Sequence, residues 1–239
     1  ETAHASGANA DLAWGSSGLS VEVKAKGKVK VTGTLVDGTK VSTTGQLLVG
    51  EGKCCVPVVA PLYSKKGGFG LNLWLFDDGT TEASNLSMWD AAASKTPFTA
   101  WWSDDVPFAR VGSALPSGLT FVFDGEYDLG SVELLYDFLP WEVPVGGGTK
   151  WTLPRAGSVK WDAEEEGYVD AKESENPAGL KLTYVAKTGA FKGSFKVYGD
   201  QGGRLKTYTA NVSGVMVGTT GYGTAVIKNV GAGPVRILP

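Results

Sequence analysis

A single histidine, His4, limits the chemistry open to this chain of 239 residues. It lies close to a terminus that is expected to be mobile. A serine or cysteine nucleophile would need that imidazole folded back as its base, and neither a G-x-S-x-G elbow nor a papain-like cysteine signature is present. Zinc finds no tetrahedral ligand spacing in the adjacent Cys54-Cys55 and one remote histidine. Nor does a glycine-rich phosphate loop precede a helix. Carboxylates are the remaining route to catalysis. Asp104-Asp105 follows Trp101-Trp102, and Asp124, Glu126 and Asp128 alternate along Asp124-Gly125-Glu126-Tyr127-Asp128, which would allow acid and base carboxylates to flank a sugar. Acidic residues beside glycine also form turns, and that is the plainer reading. The trio Asp124, Glu126 and Asp128 offers hard oxygen ligands to calcium, although without the twelve-residue loop pattern. Calcium is the one cofactor this trio could hold, and no other cofactor is expected.

Aromatic residues provide a second kind of chemistry. Trp101-Trp102, with Trp74, Trp89, Trp141, Trp151 and Trp161 elsewhere, could stack on sugar rings, because a pyranose presents a weakly apolar C–H face that an indole covers. Core packing is the expected role of most of them. Neighbours on a strand face opposite sides, so one of Trp101 and Trp102 is expected inside and the other is the better platform. The candidate ligand-binding set is therefore Trp101, Trp102, Asp104 and Asp105. Cys54-Cys55 reads as two separate thiols, one buried and one outside, because bonding them closes a strained eight-membered ring. A vicinal disulfide is the alternative, and it would imply an oxidising compartment. Asn85-Leu86-Ser87 and Asn211-Val212-Ser213 match a glycosylation pattern too short to carry weight.

The elements that must position these residues are strands. Val21, Val23 and Ala25 alternate with polar neighbours, as do Val29, Val31, Gly33 and Leu35, and this period of two marks half-buried antiparallel strands. Asp37-Gly38 supplies a hairpin turn, and Lys40 to Val49 returns. Cys54 to Ala60 and Phe69 to Phe76 follow, with Ser64 to Gly68 turning between them. Further strands are expected at Leu119 to Asp124, Ser131 to Phe138, Leu180 to Ala186, Ala190 to Tyr198, Arg204 to Met216, Gly221 to Lys228 and Pro234 to Leu238. Ala83 to Ala93 reads as one or two helical turns, Gly146-Gly147-Gly148 as a flexible break, and Glu164 to Gly167 as an exposed turn. Lys24, Lys26, Lys28 and Lys30 are expected together on one solvated face.

The two ends of the chain follow one plan. Gly18-Leu19-Ser20-Val21-Glu22-Val23 leads to Val31-Thr32-Gly33-Thr34-Leu35 and a glycine turn, and Gly179-Leu180-Lys181-Leu182-Thr183-Tyr184 leads to Phe191-Lys192-Gly193-Ser194-Phe195 and another. The expected fold is all-β, with two pseudo-repeated antiparallel β-barrel or sandwich-like units packed together. Its divisions are an N-terminal extension over 1–17, a first β-unit over 18–80, a Trp-rich connecting β segment over 81–178, and a second β-unit over 179–239.

The composition is that of a folded protein, 42% hydrophobic and 20% charged, and the 34 glycines fall between alternating stretches as turn formers. A formal charge of −3 leaves no strong field toward nucleic acid or anionic membrane surfaces. No apolar run approaches the roughly 20 residues that span a bilayer, so no membrane insertion is expected. Beginning at Glu1-Thr2-Ala3-His4 without methionine or a basic leader, the chain is expected to be a processed mature chain or a fragment of a longer one.

The run Gly33 to Lys40, Val56-Pro57 followed by Pro61-Leu62-Tyr63-Ser64-Lys65-Lys66-Gly67-Gly68, and the ending Thr188 to Phe195 with Gly214-Val215 and Gly221-Tyr222-Gly223 carry a resemblance over nearly the whole chain. Together they resemble an uncharacterised β-rich C-terminal region of large exported bacterial surface proteins. That resemblance implies an extracellular or cell-surface location and an accessory module with no assigned catalytic residues. The expected function is a non-catalytic β-module of a larger surface or secreted protein that binds or anchors, with a glycan or other domains of the parent protein as partners. A glycan-binding domain, a carboxylate-dependent glycoside hydrolase and a structural spacer are the alternatives.

Overall fold

The computed structural model describes residues 3–6, 18–35, 38–78, 80–90, 100–103 and 115–239, and gives the backbone alone for 3–6, 81, 83–90 and 100–103. The fold is all-β, and no helix among the described residues is long and apolar enough to cross a membrane. Two compact units divide the chain: Glu1–Trp14 with Leu19–Arg110, and Gly15–Gly18 with Val111–Pro239.

In the first unit the strands are β1 (Ala3–Ser6), β2 (Gly18–Val23), β3 (Lys28–Thr34), β4 (Lys40–Gln46), β5 (Leu48–Gly50), β6 (Lys53–Leu62), β7 (Gly67–Phe76), β8 (Thr81–Asp90) and β9 (Ala100–Ser103). A three-stranded sheet runs β2-β3-β4 and a six-stranded sheet runs β1-β9-β8-β7-β6-β5. Alternation decides what each buries: Val29 and Val31 of β3, Val56, Val58 and Ala60 of β6, and Phe69, Leu71 and Leu73 of β7 form one core. The Thr43 hydroxyl donates to the Val59 carbonyl at 3.1 Å and ties β4 to β6.

Three expectations change here. The lysine strip is broken, because a 3₁₀ turn at Ala25–Gly27 with Lys26 at φ 63° separates β2 from β3, leaving Lys28 and Lys30 as the pair on one strand. Of Ala83 to Ala93, expected to hold one or two helical turns, residues 83–90 belong to β8 and pair with β7 and β9, and Ala91-Ala92-Ala93, whose helix preference suggested the turns, lie outside the described residues. His4 stands within β1, opposite Trp102 of β9, where a loose terminus was expected.

The second unit holds β10 (Leu119–Phe123), β11 (Glu133–Leu134), β12 (Glu142–Gly147), β13 (Lys150–Trp151), β14 (Val159–Asp162), β15 (Gly167–Asp170), β16 (Lys181–Val185), β17 (Ala190–Asp200), β18 (Leu205–Val217), β19 (Thr220–Ile227) and β20 (Gly231–Leu238). A nine-stranded sheet follows the order β11-β17-β18-β19-β20-β10-β12-β13, with β16 also on β17, while β14 and β15 pair apart. The sheet curls into a half-barrel. Its interior is filled by Phe121, Phe123, Phe191 and Phe195 among aliphatic side chains, so it is a core and not a channel. Where the curl brings β13 toward β16, no ladder forms; the Trp151 and Tyr184 rings stack instead, 5.0 Å apart and 7° from parallel. Phe191 packs directly over Gly214, where any side chain would overlap its ring.

Ser131 to Phe138, expected as a strand, is shorter. Only Glu133–Leu134 pairs with β17, and a 3₁₀ turn follows at Tyr136–Phe138, because the N–H groups of Phe138 and Leu139 bond back to Leu135 and Tyr136. The triple glycine is no loose break: Gly146 and Gly147 end β12 and pair with Trp151 and Lys150, and Gly148 at φ 68° begins the tight turn into β13.

Both regions with matching sequence form three consecutive antiparallel strands, β2-β3-β4 and β16-β17-β18. In each, a glycine at positive φ, Gly27 at 70° and Gly189 at 68°, precedes the middle strand. Beyond the meander they differ, since one is a sheet of three strands and the other belongs to the sheet of nine.

Candidate functional site

Among the described residues, the strongest candidate is a groove of about 430 Å³ lined by Phe123 and Asp124 at the end of β10, Leu139, Trp141 and Glu142 at the entry to β12, and Pro177. Strand pairing sets Glu142 opposite Val122, and the Phe123 N–H donates to the Pro140 carbonyl at 3.2 Å, which joins the two strand ends.

Trp141 marks where the core ends. Val143 and Val145, which follow it on alternate positions of β12, are buried, whereas Trp141 is 41% exposed. Its ring lies 6.2 Å from the buried Phe123 ring and is tilted 33° to it. Local hydrogen bonds hold it there. Its indole N–H donates to the Tyr136 carbonyl at 3.0 Å, and the Tyr136 hydroxyl donates to Glu126. That bond to Glu126, followed by burial and the nearby negative charge, holds the Tyr136 phenol above its ordinary pKa, so it remains a donor. The wall at Pro177 is fixed through its neighbour Asn176, which is 1% exposed. The Asn176 amide donates to the carbonyls of Leu180 at 3.0 Å and Pro154 at 3.2 Å, and its oxygen accepts the Leu180 N–H at 2.6 Å.

The sequence-derived candidates fare differently. Trp101 and Trp102 lie in β9, opposite Met88 and Ser87 of β8, and the positions of their side chains lie outside the described structure. Asp104 and Asp105 lie outside the described residues. The calcium trio does not converge. Tyr127 between its members is anchored in the core, its hydroxyl donating to the Ala225 carbonyl at 2.9 Å, with burial pushing its pKa up. Of the flanking carboxylates, Asp124 lines the groove, Glu126 accepts from Tyr136, and Asp128 accepts the Gly130 N–H at 2.8 Å in a turn. No group of three His, Cys, Asp or Glu among the described residues could hold a metal ion.

Trp74, Trp151 and Trp161 lie away from this groove, and the Trp89 side chain lies outside the described structure. Lys53 places its ammonium 4.8 Å from the centre of the Trp74 ring, and Trp151 is buried with no acceptor for its indole N–H among the described residues. Trp161 is 52% exposed and stands edge-on to Tyr168 in the β14–β15 hairpin. Cys54 and Cys55 are free thiols, both half-buried where one inside and one outside was expected. Burial pushes the Cys55 thiol up, with Lys53 acting the other way.

Searches with this chain find no matching family model, no matching curated protein and no matching solved structure. What the groove can do follows from its own groups: a fixed indole for an apolar ring face, and carboxylates for hydroxyl and amine donors. Glu142 and Pro177 escape sequence reasoning because they join Asp124 through strand pairing and a distant loop.

Proposed function

We propose that this chain is a non-catalytic, extracellular β-module of a larger surface or secreted protein, built from two pseudo-repeated units, and that it binds a glycan on Trp141. The observation that carries this reading is a part-exposed indole that meets the core at Phe123 and is held by its N–H on the Tyr136 carbonyl, in a groove that Asp124 and Glu142 also line. A rigid aromatic face contributes contact area with little ordering cost, and adjacent carboxylates accept from sugar hydroxyls. The matching meanders at the two ends support duplication. The lone imidazole and the resemblance to exported surface proteins support an accessory role at the cell surface.

A glycan array probed with the intact protein tests this. Retained glycans should be lost with Trp141→Ala, by tenfold or more in affinity, with circular dichroism unchanged. Binding that survives Trp141→Ala would remove the groove from the account. Release of reducing sugar from a bound glycan would replace the binding module with a hydrolase using Asp124 or Glu142.

A further inference from the structure

We propose that the outer face of the β16–β17–β18 meander is a second ligand surface, separate from the Trp141 groove, and that it takes a linear acidic polysaccharide. Between Leu180 and Pro239 the chain has one acidic residue, Asp200, against eight lysines and arginines, although the whole chain has 25 acidic and 22 basic residues. Charge divided so unevenly along one chain points to an anionic partner for the basic part. Strand register gathers that charge. Lys181 of β16 stands opposite Ser194 of β17, so Lys192 and Lys196, two residues to either side of Ser194, are its diagonal neighbours at about 7–8 Å. All three lysines are exposed, and they face outward because their neighbours Leu182, Phe191 and Phe195 fill the core.

The chain does not neutralise this charge itself. None of the three lysines forms an ion pair with a carboxylate among the described residues. Asp200 lies at the far end of β17, four residues beyond Lys196, and accepts the Tyr168 hydroxyl at 3.1 Å. In the other direction Arg236 of β20 faces outward too, and the next carboxylate, Glu142, is on β12, five strands from β17. Lysines on an edge strand guard against stray pairing, but that does not account for β17. Lys192 is paired on both sides, with Thr183 and Ser213, and Lys196 lies opposite Thr209 while its N–H donates to the Ala178 carbonyl at 2.9 Å. Like charges within a screening length of about 8–10 Å repel one another, and an anion laid across them removes that cost.

The residues between the lysines indicate the occupant. Thr183, Ser194, Thr209 and Asn211 share the outer face by register. Carboxylates along a sugar chain would meet the ammonium groups, and its hydroxyls would meet these hydroxyl and amide side chains. On β16, β17 and β18 the outward rows that hold the lysines contain no aromatic ring to stack on nucleic-acid bases and no aliphatic side chain to enter a bilayer.

Titration of the intact protein at low salt with a galacturonic acid hexamer, followed by calorimetry and by amide NMR, tests the proposal. An N-acetylglucosamine hexamer, a DNA duplex and phosphatidylglycerol vesicles are compared, the two anionic ones at equal charge. The acidic hexamer should bind, more weakly as salt rises, with saturable shifts in the amides of residues 181–183, 192–196 and 209–211 that the neutral hexamer does not cause. Lys181→Gln, Lys192→Gln and Lys196→Gln combined should weaken that binding about tenfold or more with circular dichroism unchanged. Lys28→Gln, Lys30→Gln and Lys40→Gln combined remove the same charge from the first unit and should leave it intact. Trp141→Ala should leave it intact as well, so acidic glycans report on this face, neutral ones on the groove, and either reading can fail alone. No binding of the acidic hexamer, equal loss in the two triple variants, or DNA or vesicles held more tightly than the hexamer would overturn the proposal.

Discussion

At the scale of single residues, polar side chains in this protein mostly organise backbone. Asp170 accepts the N–H groups of Ser158 at 2.6 Å, Ser174 at 2.9 Å and Lys172 at 3.1 Å, closing the loop that leads to Asn176 and Pro177. Burial pushes its carboxyl up, but those donors and the Lys172 charge outweigh it and hold the group below its ordinary value. Because the folded value lies below the unfolded one, the stabilisation is fully present above the unfolded value of about 4 and is lost as pH falls through the folded value. Asp170→Ala should therefore lower unfolding free energy at pH 7 by roughly 1–2 kcal/mol. In urea titrations across pH the gap should close below about pH 4. A gap that is constant with pH would show that the charge on Asp170 plays no part.

At the scale of elements, the half-barrel is sealed by rings where backbone pairing stops. Trp151 of β13 stacks on Tyr184 of β16 and meets Phe191 at 5.9 Å. Trp151→Ala should cost about 3–5 kcal/mol, the usual range for emptying a buried aromatic site. Amide exchange should then rise first in β13 and β16; equal protection along the seam would contradict this role. The same scale shows what the sequence makes legible. Lys28 to Thr34, Cys54 to Ala60 and Ala190 to Tyr198 announce themselves because buried and exposed positions alternate, and that signal is local. Residues 83–90 mislead because alanine and serine carry little strand preference, and their partners in β7 and β9 supply the ladder from elsewhere in the chain. Leu134-Leu135-Tyr136-Asp137-Phe138 lacks alternation, so nothing in it separates a strand from the 3₁₀ turn that fixes Trp141. The aromatic and acidic types at the groove were legible as types; their meeting depends on long-range pairing.

At the scale of the whole molecule, two cores are built separately, one of valines, leucines and Phe69 in the first unit and one rich in phenylalanine in the second. The groove belongs to the second unit, with all its lining residues between Val122 and Pro177. The central claim is that ligand meets the molecule at the mouth of β10 and β12, around Trp141. Amide and indole NMR signals of the intact protein, followed during titration with a glycan that the array retains, test it most directly. The account predicts saturable shifts in the Trp141 indole and in the amides of residues 122–124 and 139–143, with the first unit unchanged. Shifts centred on Trp101 and Trp102, or no saturable shift at all, would contradict it.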